Sequence, residues 1–321
     1  MNDGDSREGL LRTINDVSSY SADAAGIGLC MSNIRSKDSR ISKTGGYAGG
    51  LLKFIKIINE SLRFFNQQGR RPGAAAIYIE PWHKDVFDLL DIRKNTTKDE
   101  FAARDLFSAL WIPDNFMKAV KEDGDYYLFC PNDILKAGLK PLYEIYGEEF
   151  EAEYEKAVAL GIGKKIKAAD LWKKIYESQV ETGVPYIAYK DHANRKSNHK
   201  NFGTIKSSNL CIEVFQYTNE KDITAICTLS SLVLKNFVVD GKFDFELLKQ
   251  ATRKIVKALN KVVDINHYST EKGKKGGLSQ RAIGIGVQGL ADTFFLMDYD
   301  FTSEEAKDLN KKMMSSIKHS S

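Results

Sequence analysis

The amino-acid sequence predicts an α/β fold built on a largely parallel β-sheet. Two observations carry this prediction: short apolar runs of strand length recur along the chain, and amphipathic stretches of helix length separate them. Strands that alternate with helices form βαβ units, whose strands run parallel. The 321 residues suffice for a large core, and the sequence shows no internal repeat or linker, so a single domain over residues 1–321 is expected.

Apolar periodicity and capping residues mark the helices. Asp5 or Ser6 can cap the first helix and Asp244 a later one, because their side-chain oxygens accept hydrogen bonds from the free N–H groups of a first turn. In the helix that follows Ala168, we expect Trp172 and Tyr176 to be buried. The predicted helices cover residues 7–22, 51–65, 83–93, 114–122, 147–161 and 168–181, a stretch from 245 through 262, and the end of 281–297.

Apolar runs bounded by turn residues mark the strands. The turn signal NQQGRRPG precedes one strand, and Pro113 closes another. Segments such as AAAIYIE and DLFSALWI are too short and too uniformly apolar for surface helices, and they suit strands that are buried on both faces. The predicted strands or extended segments lie within residues 24–34, 74–80, 105–112, 185–189, 209–215 and 223–234 and at the start of 281–297.

Composition excludes several classes of protein. The chain is 42% hydrophobic and 28% charged, and its 47 basic and 43 acidic residues give a net charge of +4, too balanced for a nucleic-acid binder. No apolar run approaches the roughly 20 residues that span a bilayer. The four cysteines are few and form no CxxC pair, which favours a reducing, cytoplasmic location. The histidines show no metal-binding spacing, so no metal site is expected.

The segment SSNLCIEVFQY, residues 207–217, contains the most promising constellation. An extended backbone sends alternate side chains to the same face, so Asn209, Cys211 and Glu213 would share one side. A catalytic thiol needs one neighbour that moves protons and another that holds a substrate hydroxyl, and these side chains can do both. A second thiol, Cys227, follows sixteen residues later. The alternative, a cysteine buried as a small apolar residue, stays open at this point.

Two further patterns have ordinary explanations beside functional ones. The motif GxGxxG is formed by Gly284, Gly286 and Gly289. A dinucleotide site would also need an acidic residue about 20 positions later, and none follows at that spacing. Close strand–helix packing is therefore the favoured interpretation. The loops at 35–50 and 66–73 are rich in Gly, Ser, Lys and Arg, which suits either phosphate binding or a solvated surface.

Several blocks together resemble a known family, the large catalytic subunit of class I ribonucleotide reductase in its eukaryotic and large-DNA-virus branch. The resemblance extends from about Asp5 to Asn310, and its blocks are SSNLCIEVFQYT, AICTLSSLVL, RRPGAAAIYIEPWH, ARDLFSALWIPDNFM, ETGVPYIAYKDHANRKSN and IGIGVQGLAD. It implies part of a ten-stranded α/β barrel, with the reactive cysteine on a finger-like central loop. Residues 1–73 would then form the effector region and residues 74–321 the barrel strands and helices.

The resemblance also implies roles for the residues around the cysteine. Cys211 would become a thiyl radical that takes the 3′-hydrogen of a ribonucleoside diphosphate, and Glu213 would take the proton of the 3′-hydroxyl. Asn209 would hold the sugar hydroxyls, and Cys227 would be one of two thiols that deliver electrons and end as a disulfide. The implied substrate contacts are Gly26, Arg71 and Asn209.

Allosteric regulation is implied as well, through a dNTP or ATP effector at a specificity site. Asp5, Ser6 and Arg35 match positions that hold the effector, the loop from Ser36 to Tyr47 closes over it, and Gln67 relays its identity to the substrate. No cofactor would bind the chain directly. A metal cofactor in a small subunit would supply the radical, and a thioredoxin- or glutaredoxin-type protein would supply the electrons. A homodimer is the expected state.

Several features of the family lie outside the matched part: the ATP cone, the second redox cysteine, the phosphate-binding turn, the tyrosine pair and the C-terminal cysteine tail. We therefore expect a central fragment of a large subunit, which acts in deoxyribonucleotide synthesis for DNA replication once a complementary fragment supplies the rest. The alternative is a non-catalytic truncated homologue that still binds the nucleotide effector or pairs with a reductase subunit. A third and less favoured hypothesis is that the basic loops bind nucleic acid.

Overall fold

The computed structural model describes residues 3–41, 45–66 and 71–321. The chain divides into two compact units, each with its own apolar core. The first comprises Met1–Ala225 and Ser269–Gly273, and the second comprises Ile226–Tyr268 and Lys274–Ser321. The interpretation of residues 1–321 as a single partial barrel domain stays a prediction.

The elements follow the alternation that the sequence predicts. In the described residues the helices are α1 (Arg7–Ala22), α2 (Leu51–Phe64), α3 (Val86–Leu89), α4 (Asp114–Lys121), α5 (Pro131–Lys136), α6 (Gly147–Ala159), α7 (Ala168–Thr182), α8 (Lys190–Lys196), α9 (Phe245–Ile265), α10 (Glu271–Gln280), α11 (Leu290–Leu296) and α12 (Glu304–Ser320). The strands are β1 (Ile27–Cys30), β2 (Ala75–Ile79), β3 (Phe107–Ile112), β4 (Asp125–Leu128), β5 (Lys164–Lys167), β6 (Tyr186–Tyr189), β7 (Leu229–Val233), β8 (Val238–Val239), β9 (Lys242–Phe243) and β10 (Gly284–Gln288).

A parallel sheet with the order β1-β2-β3-β6 forms the centre of the first unit. Helices occupy each connection between neighbouring strands, as parallel pairing requires. Strand β2 is fully buried along its whole length, so side chains on both faces of the sheet contribute to the core. Strands β4 and β5 form a separate antiparallel pair.

One face of this sheet carries an apolar surface that will matter for the site. We call it the loop-facing surface. It is formed by alternate residues of three adjacent strands together with one residue beyond them, Ala76, Tyr78, Ala109, Trp111, Ala188 and Ile205. Leu210 and Ile212, from the segment predicted to carry chemistry, pack against it.

The second unit is built around a smaller parallel pair, β7 and β10. The long helix α9 starts at Asp244, whose carboxylate accepts from Leu247 N at 2.9 Å, as predicted for a cap. Helices α9 and α12 pack together, and buried residues from both join one core cluster. Gly284 and Gly286 lie within β10, while Gly289 adopts a left-handed φ of 72° and makes the turn into α11. Close packing explains Gly284, where a β-carbon would lie 2.4 Å from Leu229 Cδ2, but not Gly286, where the nearest atom would be 3.8 Å away.

Among the described residues no closed barrel forms, which is consistent with part of a barrel. Two local predictions are wrong, and a third is only partly right because Trp172 on α7 is half-buried. The segment 209–215 is not a strand, since the chain turns at residues 210–211 and Ile212 has a positive φ of 66°. Tyr176 on α7 is not buried, since 65% of its surface is exposed. The buried face of that helix contains Leu171, Ile175 and Ser178 instead.

Candidate active site

Residues 208–214 form a compact loop, which we call the cysteine loop. Its two ends are joined by hydrogen bonds: Ser208 Oγ donates to the Val214 carbonyl oxygen at 2.7 Å, and Val214 N donates to Asn209 Oδ1 at 3.2 Å. Cys211 lies within the turn at residues 210–211. The prediction of a finger-like loop therefore describes this segment better than the strand pattern does.

The cysteine loop brings the predicted trio together by a different route from an extended face. Asn209 Nδ2 donates to Glu213 Oε1 at 2.9 Å, so the amide orients the carboxylate. Cys211 and Glu213 are both exposed, and Asn209 is partly exposed. An amide, a thiol and a carboxylate thus lie on one accessible loop, where a small molecule can reach all three.

The electrostatic surroundings of Cys211 keep its thiol protonated. Partial burial raises the pKa of Cys211 above its ordinary value, and the nearby Glu213 carboxylate raises it further because a thiolate would be repelled. The Arg71 guanidinium opposes this rise. Arg71 itself is exposed, and its role as a substrate contact stays a prediction.

The loop-facing surface holds the cysteine loop at both ends. The Tyr78 hydroxyl on β2 donates to the Asn209 carbonyl oxygen at 2.7 Å. Trp111 on β3 stacks on Phe215, with ring centroids 5.8 Å apart and an interplanar angle of 27°. Neither Tyr78 nor Trp111 was predicted as part of the site, because a buried aromatic residue in an apolar strand has no distinctive sequence signal.

Strand β1 also approaches the cysteine loop closely. A β-carbon at Gly28 would lie 2.0 Å from the Ser208 carbonyl oxygen, so any larger residue at this position would collide with the loop backbone. At Gly26, a β-carbon would lie 2.9 Å from Leu210 Cδ2. Gly26 was predicted as a substrate contact and Gly28 was not, although the segment AAGIG contains both glycines.

The predicted effector residues form a second cluster in the first unit. Arg35 Nε donates to Asp5 Oδ2 at 2.5 Å, and both side chains are mostly buried. Burial raises the pKa of Asp5, and Arg35 opposes the rise. Ser6 is the cap of α1, since its hydroxyl accepts from Gly9 N at 2.9 Å. The structure brings Asp5 and Arg35 together, while Gln67 lies outside the described residues.

A buried carboxylate anchors the loop that begins after Arg35. Asp85 accepts from Lys37 N at 3.1 Å and from Leu51 N at 2.9 Å, and so holds the start of the loop and the first residue of α2. His83 is buried beside it, with Nε2 at 2.7 Å from the Ile34 carbonyl oxygen, and burial lowers its pKa. Residues 42–44 at the loop's tip lie outside the described residues.

The remaining candidate, Cys227, belongs to the second unit, where it is exposed two residues before β7. Across residues 3–41, 45–66 and 71–321, no group of three or more His, Cys, Asp or Glu side chains could hold a metal ion. In the same residues, each helix is too short or too polar to cross a membrane.

The sequence is similar to known proteins over nearly its whole length. The whole chain, residues 1–321, matches the family model described as the ribonucleotide reductase barrel domain. It is 48% identical over 315 residues to the ribonucleoside-diphosphate reductase large subunit of Monkeypox virus, covering 98% of this chain and 40% of that protein. The corresponding subunit of Caenorhabditis elegans is 47% identical over 316 residues, covering 98% of this chain and 39% of that protein.

A fungal relative shows the same pattern: the large chain of Neurospora crassa is 45% identical over 319 residues, covering 98% of this chain and 34% of that protein. The chain therefore spans about 40% or less of the length of these relatives. The family match over the whole chain and these identities show that the chain belongs to the ribonucleotide reductase large-subunit family, whose barrel domain its sequence matches.

Proposed function

We propose that the chain supplies the radical-bearing loop of a ribonucleoside-diphosphate reductase, an oxidoreductase that makes deoxyribonucleotides. The observation that carries this proposal is the cysteine loop, where the hydrogen-bonded pair Asn209 and Glu213 flanks a thiol with a raised pKa. A nucleophilic cysteine needs a lowered pKa, because the thiolate is the nucleophile. Hydrogen-atom transfer instead needs an intact S–H bond, which a raised pKa preserves at neutral pH.

In the proposed reaction, Cys211 loses its thiol hydrogen and becomes a thiyl radical. The oxidant is the metal-derived radical of a small subunit, which would supply one-electron chemistry from outside this chain. The thiyl sulfur then takes the 3′-hydrogen atom of a ribonucleoside diphosphate, and Glu213 takes the proton of the 3′-hydroxyl. Asn209 would hold the sugar hydroxyls, while Arg71 and the backbone at Gly26 would border the substrate.

The sugar radical then loses its 2′-hydroxyl as water, with the added proton supplied by one of two thiols. Two thiols, one of them Cys227, supply two electrons and become a disulfide. Glu213 returns its proton to the 3′-oxygen, and Cys211 finally returns a hydrogen atom to the 3′-carbon and is again a thiyl radical. The net change therefore consumes one dithiol and releases one water. A thioredoxin- or glutaredoxin-type dithiol would reduce the disulfide before the next turnover.

The test is turnover in a reconstituted enzyme. The chain is combined with a large-subunit segment that covers the rest of its relatives' length and with a small subunit, and formation of deoxyribonucleoside diphosphate is measured. We expect Cys211→Ser to abolish the product, because a hydroxyl O–H bond is too strong to take over the radical. Cys130→Ser, at a buried cysteine outside the cysteine loop, is the matched control. Product formation by Cys211→Ser would remove Cys211 from its role.

We also propose that Asp5 and Arg35 hold a nucleoside triphosphate effector, a dNTP or ATP. The mostly buried ion pair supports this, because a guanidinium group fixed by a carboxylate is prepared to bind phosphate oxygens. Calorimetric titration with dTTP or dATP should show that Arg35→Ala weakens binding by about tenfold or more, the value of a charge-assisted hydrogen bond. Arg7→Ala, which removes only an exposed ion pair with Glu8, should bind normally. Equal affinities for the Arg35→Ala variant and the wild type would contradict the effector site.

These two experiments separate catalysis from the alternative of a non-catalytic homologue. Effector binding by the chain, with no turnover in the reconstituted complex, would favour a protein that binds nucleotide or pairs with a reductase subunit. A homodimer and a complementary large-subunit fragment remain the partners we propose for the chain.

A further inference from the structure

The cysteine loop is held by a closed set of contacts with the loop-facing surface. We propose that Tyr78 and Trp111 are positioning residues, which fix the directions of the Cys211 thiol and its two polar neighbours by anchoring opposite ends of the loop. This role rests on the function proposed above for the loop. Neither aromatic residue would touch the reacting atoms, and both would act through Asn209 and Phe215.

The first anchor is polar. Tyr78 is a fully buried residue of β2, and its hydroxyl donates to the Asn209 carbonyl oxygen at 2.7 Å. Asn209 is the centre of the loop's own hydrogen bonds, since its side chain donates to Glu213 and accepts from Val214 N. Moving the Asn209 backbone would therefore move the carboxylate as well.

The second anchor is apolar. Trp111 is fully buried on β3, the strand beside β2, and it stacks on Phe215 just after the loop. Tyr78 meets Trp111 edge to face, with ring centroids 6.3 Å apart and an interplanar angle of 84°. The contacts thus run from Tyr78 to Asn209, along the loop to Phe215, to Trp111 and back to Tyr78.

Backbone strain inside the loop also supports the proposal that contacts with the loop-facing surface fix the loop. Ile212 has a φ of 66°, a left-handed conformation that is costly for a β-branched residue. Such conformations persist where the surrounding structure over-determines them. Here the Ile212 side chain packs against the loop-facing surface together with Leu210. Since Ile212 directly follows Cys211, its backbone angle sets how the chain continues from Cys211 to Glu213.

The experiment measures the reactivity of Cys211 in the full chain. Cys227→Ser removes the other exposed thiol, and Cys30 and Cys130 are buried, so iodoacetamide reports on Cys211. The alkylation rate is followed from pH 7 to 10.5 in this background. Its midpoint should lie above that of an ordinary thiol, which is about 8.5. The far-UV circular dichroism spectrum and the melting temperature are recorded for each variant as a check on folding.

We expect Tyr78→Phe to release the cysteine loop while leaving the buried ring in place. The thiol becomes better hydrated and less constrained beside Glu213, so the midpoint falls and the alkylation rate at pH 8 rises by about two- to tenfold, the equilibrium value of one hydrogen bond. Phe215→Ala loosens the other anchor without creating a deep cavity, because Phe215 is partly exposed. It should shift the midpoint in the same direction.

Tyr126→Phe is the matched control. The Tyr126 hydroxyl is buried without a hydrogen-bond partner in the described residues, and the Tyr126 ring packs against Phe116 and Tyr154, so loss of the hydroxyl should leave the profile unchanged. Two outcomes overturn the proposal: wild-type profiles for both Tyr78→Phe and Phe215→Ala, or lower melting temperatures with no change in either midpoint. The second outcome would show a purely structural role.

Failure here is distinguishable from failure of the proposed function. The alkylation assay depends only on the geometry of the loop and needs no substrate, small subunit or turnover. Full product formation by Cys211→Ser would remove the radical role, yet the Tyr78 and Phe215 variants could still shift the thiol's titration. Conversely, an unchanged titration would refute the anchors and leave the radical role of Cys211 standing.

Discussion

Charge and solvation around a single sulfur atom determine what Cys211 can do. Burial and the Glu213 carboxylate both raise its pKa, and the Arg71 guanidinium only partly opposes them. The thiol therefore keeps its proton at neutral pH, which suits hydrogen-atom chemistry and disfavours attack as a thiolate. Glu213 would thus have two effects, since it is the proposed base for the substrate and it also keeps the thiol protonated.

A charge-removing substitution tests this at the residue scale. Glu213→Gln retains an oxygen that can accept from Asn209 Nδ2, but it removes the negative charge that disfavours the thiolate. The pKa of Cys211 should fall, so the thiolate fraction and the alkylation rate at pH 8 should rise by roughly two- to fivefold, less than the factor of ten that one full pKa unit would give. The pH profile of alkylation in the Cys227→Ser background measures this change.

Glu122→Gln is the control for that experiment, because Glu122 is an exposed carboxylate at the end of α4, a helix that packs against α7 and β4. It should leave the midpoint where it is. If the alkylation midpoint of Cys211 were the same with and without Glu213→Gln in the Cys227→Ser background, the carboxylate would not act on the thiol.

At the scale of elements, the close approach of β1 to the cysteine loop explains why a glycine stands at position 28. The loop backbone passes so near β1 that a β-carbon there would lie 2.0 Å from the Ser208 carbonyl oxygen. Strand β1 in turn pairs with β2, which carries the Tyr78 anchor. Two neighbouring strands thus contact the loop. Strand β1 lies against the loop backbone at Gly28, and strand β2 forms a hydrogen bond with the loop through Tyr78.

Gly28→Ala should therefore disturb the loop even though it adds only a methyl group. Either the loop shifts or the strand does, and overpacking of this kind costs about 1–3 kcal/mol. Urea unfolding should show this loss of stability, and the alkylation rate of Cys211 should change with it. At Gly124, the nearest atom to an added β-carbon is 3.5 Å away, so Gly124→Ala should be close to neutral. Equal stabilities for the two variants would contradict the close approach.

Sequence reasoning succeeded for elements whose signals are local. Periodic apolar residues and the caps Ser6 and Asp244 located α1 and α9, and uniformly apolar runs located β2 and β3. It failed for residues 209–215, because alternation of polar and apolar residues is equally compatible with a strand and with a loop whose apolar side chains pack on a sheet. The positive φ of Ile212 has no sequence signal, since β-branched residues normally avoid it.

At the scale of the whole molecule, Lys190 and Glu80 form an ion pair that is fully buried in the first unit. Lys190 Nζ lies 2.7 Å from Glu80 Oε2 and 2.8 Å from the Leu142 carbonyl oxygen, and both charged side chains are 0% exposed. Trp82 Nε1 also donates to Glu80 at 2.7 Å. Burial raises the pKa of Glu80 to about 7, and Lys190 opposes the rise. Because Glu80 directly follows β2 and Lys190 directly follows β6, the pair joins two strands that β3 separates.

Lys190→Met should destabilise the protein by about 3–5 kcal/mol, because Glu80 must then remain buried without its cation or take up a proton. The double variant Glu80→Leu with Lys190→Met should recover much of this loss, since apolar replacement of both partners removes the unpaired charge. Urea unfolding followed by tryptophan fluorescence measures both. Lys140→Met, which breaks an exposed ion pair with Glu149, should have a far smaller effect. A single variant as stable as the double one would contradict the cost assigned to the lone carboxylate.

The sequence by itself determined the α/β character of this protein, most of its helices and strands, and its family, because periodicity, caps and long blocks of residues can be read along the chain. It also singled out Asn209, Cys211 and Glu213, which are close in sequence. Only the tertiary structure decided how these three side chains are presented and which residues hold them. Gly28, Tyr78 and Trp111 lie about a hundred positions or more from the loop they constrain, and contacts of that kind arise when the sheet folds.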